Sequence, residues 1–154
     1  TTTTLPADGE ALKAAVASTE GVTDPELLKQ RGQLLVDHAL FVAGDKELAL
    51  KLKRESMPEG WMEQARQLNR FAFWCFENEV NLVEAEALAR QGVELAKPGR
   101  EKAQVLDTLA EICNARGGCK DAVSLMELAV KEDPSNEEYA QQLERFQKLL
   151  AERK

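Results

Sequence analysis

The sequence predicts an all-α protein: a right-handed stack of antiparallel helix pairs, seven or eight helices in all, with no sheet and with a C-terminal capping helix. Three observations predict it. Apolar residues recur at helical spacing along most of the chain, and the longest candidate β run, 71–76, sits inside a longer helical period. Residues 103–136, AQVLDTLAEICNARGGCKDAVSLMELAVKEDPSN, read as helix, tight turn and helix. Leu106, Leu109, Ala110 and Cys113 share one face of the first helix, and Ala122, Met126, Ala129 and Val130 share one face of the second. Gly117-Gly118 separates the two, and Asp133-Pro134 ends the second. Finally, the pattern repeats: Ala85 to Ala122, Gly92 to Ala129 and Val93 to Val130 are each 37 residues apart. A helix pair of this kind cannot bury its apolar face alone and stacks on neighbours.

The elements follow in order. A weak helix covers 9–18. Asp24-Pro25-Glu26 is a strong helix start, a capping residue followed by proline in the first turn. That helix should run to about Ala43 and stop at Gly44, and a third should span 45–56. Met57-Pro58-Glu59-Gly60 is the clearest break in the first half. A helix over 61–77 carries Ala65, Leu68, Phe71, Ala72 and Cys75 at helical spacing, and 78–81 turns the chain. A helix over 82–96 carries Ala85, Ala89, Gly92 and Val93, and Lys97-Pro98-Gly99 stops it. After the 103–136 unit, a last helix over 136–152 places Tyr139, Leu143, Phe146, Leu149 and Leu150 on one side and charge on the other, as a terminal cap requires. The organisation expected is therefore a disordered linker remnant at 1–7, an N-terminal helical region at 8–58, and repeats plus capping helix at 59–154. The opening TTTTLPADGE has no initiator Met and no basic leader, and reads as the start of a processed or excised piece of a larger protein.

Small residues at Ala72, Ala85, Gly92, Ala110, Ala122 and Ala129 have a physical reason. Where helices cross, a large side chain would push the backbones apart. Phe71-Ala72, Ala85, Gly92-Val93, then Leu109-Ala110, Gly117, Ala122, Ala129-Val130 and Pro134 resemble two tetratricopeptide repeats, which implies a TPR-like α-solenoid. The second copy is close to the pattern. The first has a turn longer by one residue, Gly92 where Ala is usual, and Pro98 one place late. Gly44-Asp45-Lys46-Glu47-Leu48-Ala49 is similar to the turn and second-helix start of an earlier, degenerate repeat, although Asp37 stands where a small residue belongs. A narrower resemblance runs through Leu68-Asn69-Arg70-Phe71-Ala72-Phe73-Trp74, Val93-Glu94-Leu95-Ala96 and Val105-Leu106-Asp107-Thr108-Leu109-Ala110. These are similar to the helical tails that follow a thioredoxin-like domain in some bacterial proteins. That resemblance implies an accessory, substrate-recognising tail in a periplasmic or other extracytoplasmic setting, with the thiol-disulfide chemistry upstream. This chain has no Cys-x-x-Cys.

Composition narrows the function classes. A formal net charge of −7 argues against nucleic acid or an anionic membrane as partner. No apolar run approaches the roughly 20 residues needed to span a bilayer. Three cysteines and one histidine match no zinc spacing, and no other cofactor signature is present. Gly117-Gly118 lacks the Gly-Lys-Ser/Thr of a phosphate loop and reads as a turn. His38 lies mid-helix beside Asp37 with no nucleophile placed for it, so it reads as structural. Cys75 and Cys113 fall on core faces, as free cysteines often do. Cys119 opens a helix after the glycine turn, where a thiolate gains from the helix dipole. Cys113 and Cys119 also flank that turn closely enough for a disulfide.

These readings point to a non-enzymatic helical-repeat module for protein–protein interaction, an accessory domain of a larger protein and monomeric. In stacked repeats the first helix of each pair lines the concave surface. There the sequence places Arg66, Asn69, Phe73 and Phe76 from the first unit, and Gln104, Asp107, Glu111 and Asn114 from the second. Aromatic rings beside Asp107 and Glu111 predict a partner segment of basic and apolar character, or a flanking domain of the same chain.

Overall fold

The computed structural model describes residues 9–153, and every described segment is helix, turn or loop, with no strand. The expected linker remnant at 1–7 lies outside the described residues. The chain divides into two compact units after Pro58.

The first unit contains α1 (Gly9–Ser18), α2 (Pro25–Asp37) and α3 (Lys46–Ser56). Asp24 caps α2 as its sequence position implies, its carboxylate accepting from the Glu26 and Leu27 amides. Asp45 does the same for α3 through Leu48. The second helix does not run as regular α-helix to Ala43. It widens at His38–Val42 into a π turn, in which the Ala43 amide donates to the His38 carbonyl at 3.0 Å. Leu12, Val36, Ala39 and Ala49 form the buried apolar set of this unit. Arg31 Nη1 ties α2 to the end of α1 by donating to the Val16 carbonyl and to Thr19 Oγ1.

The second unit contains α4 (Ala65–Glu77), α5 (Leu82–Leu95), α6 (Arg100–Ala115), α7 (Cys119–Glu132) and α8 (Glu137–Glu152). Each packs on the next, and α4 also touches α6. Of the predicted core positions, Ala65, Leu68, Phe71, Ala72, Cys75, Ala85, Ala89, Leu106, Leu109, Ala110, Cys113, Ala122, Met126, Ala129, Tyr139 and Phe146 are buried, while Val93, Val130, Leu143, Leu149 and Leu150 are partly buried. One boundary differs from the sequence expectation. The helix predicted from Trp61 begins at Ala65, because Trp61–Glu63 is a short 3-10 turn and Gln64 is extended at φ −121°, ψ 115°. Tertiary contact explains the break. A continuous helix would hold Trp61 and Phe71 about 15 Å apart along its axis. The bent chain instead lays Trp61 on Phe71, ring centroids 4.9 Å apart. Gln91 of α5 donates to the Met62 carbonyl and holds the bend.

The tight turn after α6 requires Gly117, whose φ of 92° lies in the left-handed region. It lets Gly118 donate to the Cys113 carbonyl at 2.7 Å and starts α7 at once. Beyond it, α8 closes a cluster of Ala103, Leu106, Ala110, Ala122, Met126, Ala129, Tyr139 and Phe146 drawn from α6, α7 and α8. No helix among the described residues is long and apolar enough to cross a membrane.

Candidate protein-binding groove

Helical spacing brings five of the eight predicted surface residues to one place. Arg66, Asn69 and Phe73 from α4 and Gln104 and Asp107 from α6 line an open cleft of about 450 Å³, with Arg70, Thr108 and Tyr139. Two neighbouring clefts extend it. One continues to Arg100 and the start of α8, and the other runs along α8 past Glu138, Gln142 and Arg145. Tyr139 lines all three, so they form one groove over α4, α6 and α8 with Tyr139 at its centre.

The remaining three residues do other things. Phe76 is half-buried and packs beside Phe73, centroids 6.1 Å apart. Asn114 accepts a hydrogen bond from the Cys119 thiol through Oδ1 at 2.9 Å. Glu111 accepts from both Gln142 and Arg145 of α8. Asp107 accepts from Gln142 as well, at 3.4 Å. The acidic pair therefore has partners within the fold, supplied by α8, 31–35 residues further along the chain.

The electrostatics follow from burial. Desolvation pushes the Asp107 carboxyl above its usual range; the Gln142 bond opposes this and the nearby Glu111 charge reinforces it. Burial also raises the Tyr139 phenol, helped by Asp107, Asp133 and Glu138. Thr108 is buried, and its hydroxyl donates back to the Gln104 carbonyl. Asn69 Oδ1 is buried and accepts no hydrogen bond among the described residues. Phe73 is 42% exposed and lines the cleft.

The cysteines lie elsewhere. All three are buried free thiols. Cys113 Sγ faces Arg90, which with Arg116 binds Glu86 across α5 and α6. Partial burial alone would raise Glu86, but the bonds from Arg116 and Arg90 outweigh it and hold the carboxyl low. Burial, and then the Glu86 charge, push the Cys113 thiol up to about 11. Cys119 opens α7, but its side chain is buried against Asn114. No group of His, Cys, Asp and Glu among the described residues is arranged to hold a metal ion.

Sequence reasoning missed Arg70, Thr108, Tyr139, Gln142 and Arg145 in the groove. The first two were within reach, since each lies four residues beyond a predicted groove residue, Arg66 and Gln104. Tyr139 belongs to the core face of α8 as well as to the groove. Nothing local to α8 says that Gln142 and Arg145 reach α6. Comparison with protein-family models, curated proteins and solved structures finds no match for this chain.

Proposed function

We propose that residues 59–153 form a non-enzymatic helical-repeat module for protein–protein interaction. In this reading α4–α5 and α6–α7 are antiparallel pairs of the tetratricopeptide type, stacked in the right-handed sense, and α8 caps them. The module is an accessory domain of a larger protein, and it takes a linear segment of a partner or of a flanking domain along the groove over α4, α6 and α8. The observation that carries this reading is the cleft itself: residues of α4 and α6, Arg66, Asn69 and Phe73 with Gln104 and Asp107, converge on one open surface that includes an exposed aromatic ring. An exposed aromatic anchor within a polar rim is the usual make-up of a recognition surface.

A basic and apolar partner remains the reading that Asp107 and Glu111 suggest by themselves. Its cation would have to replace the bonds these acids already accept from Gln142 and Arg145. The resemblance to tails of thioredoxin-like proteins supports the same use of the groove, as the substrate-recognising part of an extracytoplasmic oxidoreductase. The test is to select binders from a random linear peptide library and map them by amide chemical-shift perturbation. Shifts confined to α4, α6 and α8, with binding lost in Phe73→Ala, would support the groove. Shifts elsewhere on the unit would refute it.

A further inference from the structure

We propose that the α4 wall of this groove takes an acidic side chain from an internal, linear peptide segment, with an apolar neighbour of that side chain set against Phe73. The proposal rests on the groove being the binding surface and specifies its ligand.

Arg66 and Arg70 stand one turn apart on α4, both exposed and both lining the cleft. Neither makes an ion pair or a side-chain hydrogen bond among the described residues. Three other arginines of this unit are engaged: Arg90 and Arg116 hold Glu86, and Arg145 holds Glu111. Two like charges at this spacing disfavour the helix that carries them. A carboxylate set between them removes that repulsion and gains charge-assisted hydrogen bonds from planar guanidinium groups. Phe73 lies three residues past Arg70, on the same side of α4, with its ring open to solvent. Asn69, between the two arginines on α4, also lines the cleft, and its buried Oδ1 accepts no hydrogen bond among the described residues.

The alternative ligand is a cation bound at Asp107 and Glu111. That cation would compete with Arg145 and Gln142, whereas a carboxylate at Arg66 and Arg70 displaces no side-chain partner among the described residues. The chain's net charge of −7 opposes an acidic partner at long range. That field is screened beyond roughly 8 Å at physiological ionic strength, so the two nearby arginines decide the sign at the site. The same argument favours a short segment over a large acidic surface.

The experiment displays a random linear library in which the variable segment is internal, selects on the full chain, and resynthesises the enriched peptides with acetylated and amidated ends. Anisotropy then reads their affinity. Enriched sequences should pair Asp or Glu with an aromatic or aliphatic residue, and the double variant Arg66→Ala with Arg70→Ala should weaken them by about tenfold or more. Both arginines are exposed and have no side-chain partner among the described residues, so unchanged circular dichroism should accompany that loss. Enrichment of Lys or Arg peptides that lose binding in Phe73→Ala would overturn the acidic assignment and leave the groove standing. Peptides that bind only with a free C-terminal carboxylate, or that ignore the arginine pair, would also overturn it. Binders indifferent to both Phe73→Ala and the arginine variant would overturn the groove itself.

Discussion

Gly92 sits inside α5, where glycine is about 1 kcal/mol less favourable than alanine for the helix alone. Replacing it with alanine should therefore stabilise the protein unless something occupies the space. The structure shows what does. A Cβ at position 92 would lie 3.0 Å from Val105 Cγ1 on α6, 3.5 Å from Leu68 Cβ on α4 and 3.7 Å from the Ala65 carbonyl oxygen. Three helices meet at this residue. Val105 is fully buried and, as a β-branched side chain in a helix, has essentially one χ1 rotamer, so it cannot swing away. Overpacking of this sort costs about 1–3 kcal/mol. Set against the gain of about 1 kcal/mol in helix propensity, Gly92→Ala should be destabilising by about 0–2 kcal/mol. Val105→Ala by itself should cost about 2 kcal/mol through lost methyl burial and the cavity left behind. In that background the contact is gone, and Gly92→Ala should become stabilising by about 1 kcal/mol. Urea unfolding of the four proteins of this double-mutant cycle measures the coupling directly. A Gly92→Ala variant that gains the full propensity term in the wild-type background, with no coupling to Val105, would refute the close approach of α5 to α6.

Three further outcomes follow from named positions. Ala122 and Ala129 are fully buried, so Ala122→Leu or Ala129→Leu should each lower stability by about 1–3 kcal/mol in chemical denaturation, and unchanged curves would show the packing register to be wrong. The Asp107 carboxyl titrates above its unfolded value of 3.8, so its ionised form opposes folding at neutral pH, and that penalty is relieved as pH falls through the raised folded value. Asp107→Asn should thus be more stable than wild type at pH 7, with the difference shrinking on acidification; a difference that grows toward low pH would contradict the assigned direction. Cys113 and Cys119 are separate buried thiols engaged with Arg90 and Asn114, so the bridge expected for an exported parent requires both to leave those partners; oxidised and then unfolded material that titrates one thiol, Cys75, would show the bridge, and three thiols would reject it.

Much of the architecture is written in short-range pattern, which is why a sequence reading reaches it. Asp24-Pro25, Asp45, Gly117-Gly118 and Asp133-Pro134 act on the backbone within four residues of themselves, so the helix ends they set are legible locally. The 3.6-residue period likewise marks the buried faces of α4, α6 and α7 without any knowledge of what covers them. The same period places Arg66, Asn69 and Phe73 on one face of α4, and Gln104 and Asp107 on one face of α6.

What tertiary structure decided depends on residues far apart in sequence. The break at Gln64 exists because Trp61 packs back on Phe71 and Gln91 reaches Met62. Cys119 is buried with its thiol donating to Asn114 across the glycine turn, a placement that its position at a helix start does not reveal. The character of the groove changed most. Asp107 and Glu111 look like free negative charge in the sequence, yet Gln142 and Arg145 arrive from α8 to meet them, while Arg66 and Arg70 on α4 have no side-chain partner among the described residues. A charged side chain's type is readable from its codon, but its net contribution to a surface depends on which opposite charge the fold carries to it. Pairing between helices more than thirty residues apart leaves no trace in local periodicity.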